Sequence, residues 1–369
     1  MRILFLDQFS ELGGAQRCLL ELLPAAQKAG WEAHAAAPGD GPLLRLLEER
    51  VASVYRLSLG DYSLGRKGLG DAIRFFDDLR VVGTQISALV SRLRPDVLYV
   101  NGPRLMPAVA QAAGGRAVIF HCHNTLTAWN GRWLVTRALE SANASVIAAS
   151  QHLARQWKRP ARVIYGGVQG PPPGYSRSAR NGGPRVGLIG RFGRQKGQRE
   201  FAMAAADLQS DWPDAEFILC GDALFGDPSA ERYRDRLLAA APACVRYLGW
   251  RQNIYEVLET LDLLVLPSRE EGGIPTVMLE ALAGGIPVLA TPVGGVPEII
   301  SDGRNGFLLP SPSASAIARR VRELLPQTQL LAGVGECGHR LWRERFTSER
   351  YRNEVWEAVV MLAGKPSGG

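Results

Sequence analysis

Four short segments of this 369-residue chain bring charged side chains or paired glycines to places where phosphate or sugar chemistry could be done. Gly190-Arg191-Phe192-Gly193-Arg194-Gln195-Lys196-Gly197 follows the apolar run Arg185–Ile189. A guanidinium forks two phosphate oxygens and an ammonium adds a mobile point charge, so Arg191 and Lys196 can clamp a diphosphate. A solvated basic loop is the plainer alternative, and the GxxxxGK[ST] order of a Walker loop is absent. The segment Ser268–Ala281 reads SREEGGIPTVMLEA. Pro275 suits the first position of a helix, and Gly272 and Gly273 leave the amides through Ile274 and Thr276 open to an anion. Glu280 falls a turn later in an apolar stretch, where a carboxylate is costly unless hydrogen-bonded. Ribose hydroxyls would satisfy it, and so would nearby backbone. Gly13-Gly14, after the run Arg2–Leu6, lets a ligand approach the backbone and opens a helix whose first amides suit an anion. It lacks the GxGxxG spacing of a nicotinamide site and serves turn geometry equally well. Gly294-Gly295 adds a similar turn after Pro287–Ala290.

Each of these turns needs a strand before it and a helix after it. Short apolar runs at Arg2–Leu6, Val97–Val100, Ala117–His121, Val146–Ala149 and Arg162–Tyr165 predict one series of strands. Arg185–Ile189, Glu216–Cys220, Leu263–Leu266 and Pro287–Ala290 predict a second. Alternation with longer amphipathic stretches is the mark of parallel α/β layers, and non-alternating runs suit strands covered on both faces. The segment Gln169–Pro184, QGPPPGYSRSARNGGP, supports no regular element and is expected to link two domains. Length agrees, since single cores stop growing near about 250–300 residues. Two doubly wound sheets would bind ligands at the carboxyl ends of their strands, in a cleft between the domains.

Charge is unevenly spread. Residues 1–170 carry 20 Lys and Arg against 13 Asp and Glu, so they hold the whole net charge of +7. A basic half invites an anionic partner. Leu64–Leu93 mixes Arg66, Lys67, Arg74, Arg80 and Arg92 with Leu69, Ile73, Phe75, Phe76, Val81 and Val82, as either a sheet-covering helix or a membrane-surface helix would. No nucleic-acid motif is present, and no run reaches the roughly 18 apolar residues of a membrane span. Without a signal-peptide pattern, the chain is expected in the cytoplasm. The five scattered cysteines, without a CxxC pair, predict reduced and mostly buried thiols rather than zinc or disulfides.

Taken in order, GGAQR, GRFGRQKG, EGGIPTVMLEALAGGIPVLAT and VGGVPEII with DGRNGFLL resemble the retaining GT-B glycosyltransferases of family 4, the group 1 glycosyl transferases. The resemblance implies an α/β fold of two Rossmann-like doubly wound domains facing each other across a cleft. It implies an acceptor domain over residues 1–168, a linker over 169–184 and a nucleotide-sugar domain over 185–345. A last helix in 346–369 could return to the first domain. On this reading Arg191 and Lys196 neutralise the donor diphosphate, with Gly190 in the same loop. Glu280 holds the ribose, while Gly13, Gly14, Gly294 and Gly295 line phosphate and sugar. A histidine near the donor sugar is also implied; His123 is preferred, although strand alternation sends His121 the same way. The family spaces its two acids eight apart, whereas Glu271 and Glu280 are nine apart and Gly272 takes the expected place. The implied reaction moves a hexose-type sugar from a nucleotide-diphosphate sugar to a lipid-linked or polysaccharide acceptor, with retention of configuration. It needs no metal or other cofactor, and an anionic inner membrane face could receive the enzyme. A nucleotide-sugar 2-epimerase, or a non-catalytic binding protein of the same fold, is the alternative.

Overall fold

A computed structural model describes residues 1–60, 69–176, 182–224 and 227–364, with backbone alone for 69–76. The chain divides into two compact units, Met1–Gly166 with Ser348–Gly369, and Gly167–Thr347.

The first unit is a parallel sheet of β1 (Arg2–Asp7), β2 (Glu32–Pro38), β3 (Ser53–Leu57), β4 (Val97–Asn101), β5 (Ala117–Cys122), β6 (Ser145–Ala148) and β7 (Ala161–Val163), in the order β3-β2-β1-β4-β5-β6-β7. Successive residues of β1 feed opposite cores: Ile3 and Phe5 enter one cluster, Leu4 and Leu6 the other. Burial on both faces is why these runs do not alternate. β2 and β3 were absent from the expected strands. Helix Leu69–Leu93 buries Leu79, Val82, Ile86 and Val90 in the core, so its described face is sheet-covering. Arg66 and Lys67, and the side chains of Leu69, Ile73, Arg74, Phe75 and Phe76, lie outside the described residues. Helix Ser348–Ala363 packs in this unit through Tyr351, Val355, Ala358 and Val359. Arg352 donates to the Glu21 carboxylate at 2.9 Å, and Arg350 to the Tyr165 carbonyl at 2.5 Å.

The second unit is a parallel sheet of β8 (Arg185–Ile189), β9 (Glu216–Cys220), β10 (Val245–Tyr247), β11 (Leu263–Leu266), β12 (Val288–Ala290) and β13 (Phe307–Leu308), in the order β10-β9-β8-β11-β12-β13. Of the expected linker, residues 177–181 lie outside the described ones. Its first residues are fastened to this unit rather than free. Tyr255 donates to the Gln169 carbonyl at 2.5 Å and Tyr175 to that of Gly284 at 3.1 Å.

In both sheets the first strand of the unit has the chain winding outward on either side of it. The order therefore reverses between β1 and β4 in one unit and between β8 and β11 in the other. The loops leaving those strands flank a crevice at the carboxyl ends, which is where doubly wound sheets take ligands. Among the described residues no helix is long and apolar enough to cross a membrane. Cys122 and Cys220 are buried, whereas Cys18, Cys244 and Cys337 are half-buried, fewer enclosed thiols than expected; all five are free.

Candidate active site

In the second unit, the loops after β8 and β11 are stitched together at the reversal point. Phe192 is buried and anchors the first loop, its amide donating to the Asp222 carbonyl at 2.8 Å. Arg269 N–H, in the second loop, donates to the Gln195 carbonyl at 2.7 Å. Gly197 has φ +76°, and a Cβ there would lie 2.4 Å from the Pro267 carbonyl oxygen, so only glycine closes this approach.

This closure sets the charges. Lys196 Nζ donates to Glu271 Oε1 at 2.5 Å, and Ser268 Oγ donates to the same oxygen at 2.7 Å. The carboxylate is 11% exposed and the ammonium 21%. Both bonds fall on Oε1; Oε2 takes none from the described residues. Lys196, expected on the donor diphosphate, is thus paired with the Glu271 carboxylate. The Gly272-Gly273 turn that follows Glu271 is backed by Gly294 and Gly295. Gly295 N–H donates to the Gly273 carbonyl at 3.2 Å. A Cβ on Gly294, whose φ is +58°, would lie 2.2 Å from the Glu271 carbonyl oxygen. Thr291, buried at the end of β12, donates to the Ser268 carbonyl and fixes the β11 loop from the other side.

Arg191 leaves the end of β8, its carbonyl held by Gln198 at 2.8 Å. Gly190 N–H donates to the Cys220 carbonyl at 2.9 Å. The Asp227 carboxyl opposes its burial through bonds from Ser229 and Ala230 and through the Arg191 charge, and the balance lowers its pKa. Pro275 is not the first helical residue but the cap of helix Thr276–Ala283, with φ −56° and ψ 124° and no side-chain bond to the first turn. Gly273 and Ile274 lead into that cap. Glu280 lies in the second turn, half-buried. Burial, with the Glu280 charge second, pushes the Tyr255 phenol up.

In the first unit the reversal point holds a network that sequence reasoning missed. Asp7 and Asn101 end β1 and β4 as register partners. Asn101 Nδ2 donates to Asp7 Oδ2 at 2.5 Å, and Gln16 Nε2 donates to Oδ1 at 2.8 Å. Gln16 Oε1 accepts from Gly13 N–H at 3.2 Å, so the carboxyl anchors the turn that leads to Gly14 and its helix. One signal pointed to it: an acid ending an apolar run, with a glycine turn six residues on.

His121 and His123 do point the same way, their ring centroids 4.0 Å apart. His121 is buried, sharing a hydrogen bond with the Tyr99 hydroxyl through Nδ1. His123 lies beyond the end of β5, and its enclosed Nε2 has no hydrogen-bond partner among the described residues.

The two ionisable sites have opposite pH signatures. Burial raises Asp7 to about 6 against its hydrogen bonds. The stability this group contributes is full below the unfolded value of 3.8 and is lost as pH rises to about 6. Burial lowers His123 to about 4, so its contribution is present above the unfolded value of 6.5 and is lost as pH falls toward 4. Carboxyl NMR is expected to show Asp7 titrating near pH 6, and imidazole NMR His123 near pH 4. An Asp7 carboxyl already ionised at pH 5 contradicts the enclosure of this network. Among the described residues no group of three or more His, Cys, Asp or Glu could hold a metal ion.

Two doubly wound parallel units in one chain, each with polar groups at its reversal point, are the parts from which a GT-B fold is built. Anabaena HepE, solved in complex with UDP-glucose, superposes with a TM-score of 0.82 at 24% identity, covering 98% of this chain and all of that one. The family model "Glycosyltransferase Family 4" matches residues 12–169, and "Glycosyl transferases group 1" matches residues 183–327. The chain belongs to the group 1 glycosyltransferases of GT-B fold. The lipopolysaccharide core biosynthesis glycosyltransferase LpsE of Rhizobium meliloti is 25% identical over 366 residues, covering 97% of this chain and 98% of that protein. The N-acetyl-alpha-D-glucosaminyl L-malate synthase of Bacillus anthracis is 30% identical over 167 residues. That match takes in 44% of this chain and 41% of the synthase, under half the length of either.

Proposed function

We propose that the chain transfers a hexose-type sugar from a nucleotide-diphosphate sugar to a saccharide or lipid-linked acceptor, with retention and without a metal. The observation that carries this reading is the Lys196–Glu271 pair at the reversal point of the second sheet, which joins the loop that also carries Arg191 to the loop leading into helix Thr276–Ala283. Breaking a glycosyl–phosphate bond develops negative charge on the departing diphosphate and positive charge on the sugar. Preorganised cations and amides at the leaving group are the strongest available stabilisers. Arg191, Lys196 and the amides from Gly273 to Thr276 would meet the diphosphate, and Glu280 the ribose. Glu271, held on one oxygen, would offer the other to a sugar hydroxyl. Support for an acceptor built of sugar comes from relatives such as LpsE, named for lipopolysaccharide core synthesis. Retention would proceed by front-side attack, the leaving phosphate taking the acceptor's proton.

A thermal-shift screen of UDP-, GDP- and ADP-sugars tests the reading. One nucleotide class should raise the melting temperature saturably, because binding stabilises the folded chain by RT ln(1 + [L]/Kd). No shift with any of them at millimolar concentration contradicts it.

A further inference from the structure

Helix Trp129–Ser141 opens with two indoles in water, Trp129 at 76% and Trp133 at 60% exposure. Four residues apart on a helix, they share a face. Val135, Ala138 and Leu139, on the other side, are buried in the core, so the fold does not need the indoles. The helix begins six residues after His123, on the loop that leaves the carboxyl end of β5. The indoles therefore stand on the ligand-facing edge of the first sheet. Their surroundings are polar: Asn124, Thr125, Thr127, Asn130 and Arg132 are exposed. Leu126 and Leu134 instead pack against the core. Ala128 caps the helix with no side-chain bond, leaving first-turn amides as further donors.

We infer that Trp129 and Trp133 form a stacking platform for the acceptor saccharide. A pyranose has an apolar face of axial C–H groups and a rim of hydroxyls. The faces of two indoles match the first, and the amides, hydroxyls and guanidinium around them match the second. The inference rests on the glycosyl-transfer reading and deepens it by naming where the acceptor's sugar ring binds. The same patch fits a membrane poorly. Anionic lipid is recognised by clusters of about four to eight cations. This helix has two arginines, and Arg137 is paired with Glu140 at 2.9 Å, leaving Arg132 beside the indoles. No exposed aliphatic side chain in the helix joins them.

The test follows the indole N–H signals of the full chain by NMR, assigned with Trp129→Phe and Trp133→Phe. The probes are tetrasaccharides of glucose, galactose and mannose, and vesicles of phosphatidylcholine with phosphatidylglycerol. At least one oligosaccharide should move both signals saturably at millimolar concentration. The perturbation of the rest of the spectrum should vanish in Trp129→Ala/Trp133→Ala, whose melting temperature should stay within about 2 °C of wild type because both side chains are exposed. Silence of both indoles toward every oligosaccharide, or response to vesicles alone, overturns the platform. The nucleotide-sugar thermal shift of the wild type reads the donor site separately. A shift there with silent indoles sinks the platform alone, whereas moving indoles without any shift sink the transfer reading.

Discussion

Lys196→Ala should lower kcat/KM by at least about 30-fold, a loss near 2 kcal/mol of transition-state stabilisation. Its ammonium lies 2.5 Å from Glu271, so its charge is already partnered within the protein. Two effects then add when it is removed. The departing diphosphate loses a cation, and a carboxylate only 11% exposed keeps a single neutral donor, Ser268. A double-mutant cycle with Glu271→Gln separates them. If the pair served packing alone, the double variant would recover most of the lost turnover, since neither charge would remain unpaired. On the present account it stays as slow as Lys196→Ala or slower. Wild-type turnover in Lys196→Ala removes the clamp.

Gly294→Ala should be among the most damaging single-methyl changes in the second unit's site. A left-handed φ costs a non-glycine residue roughly 1–2 kcal/mol, and forcing an added methyl into a close approach costs roughly 1–3 more. Here the obstacle is backbone: the Cβ would lie 2.2 Å from the Glu271 carbonyl oxygen. The turn that carries the Glu271 carboxylate must move, so stability and activity should fall together, by about 2–5 kcal/mol in unfolding free energy. Gly303→Ala is the control, with a similar φ of +72° but open space around its Cβ. Equal melting temperatures for the two variants contradict the contact.

The sequence showed most where burial is two-sided. Runs such as Leu263–Leu266 and Val97–Val100 are apolar at every position because helices cover both faces, and they were legible as strands. β2, EAHAAAP, was not, because alanine has little β preference and the strand is made by its neighbours' pairing rather than by its own side chains. β13 has only two residues, too few for any periodicity. In the site, glycine turns after strands gave the position of Arg191, Lys196 and Gly294 from one dimension. The Lys196–Glu271 bond joins residues 75 positions apart, and the Asp7–Asn101 bond residues 94 apart. Both depend on which strands are neighbours at the reversal point, which local patterning does not encode.

A structure of the complex with a nucleotide-diphosphate sugar tests the central claim most directly. The account predicts the pyrophosphate within hydrogen-bonding distance of Arg191, Lys196 and the amides leading into helix Thr276–Ala283, with the Glu280 carboxylate on the ribose. A pyrophosphate bound away from the β8 and β11 loops, with Lys196 still bonded only to Glu271, would contradict it.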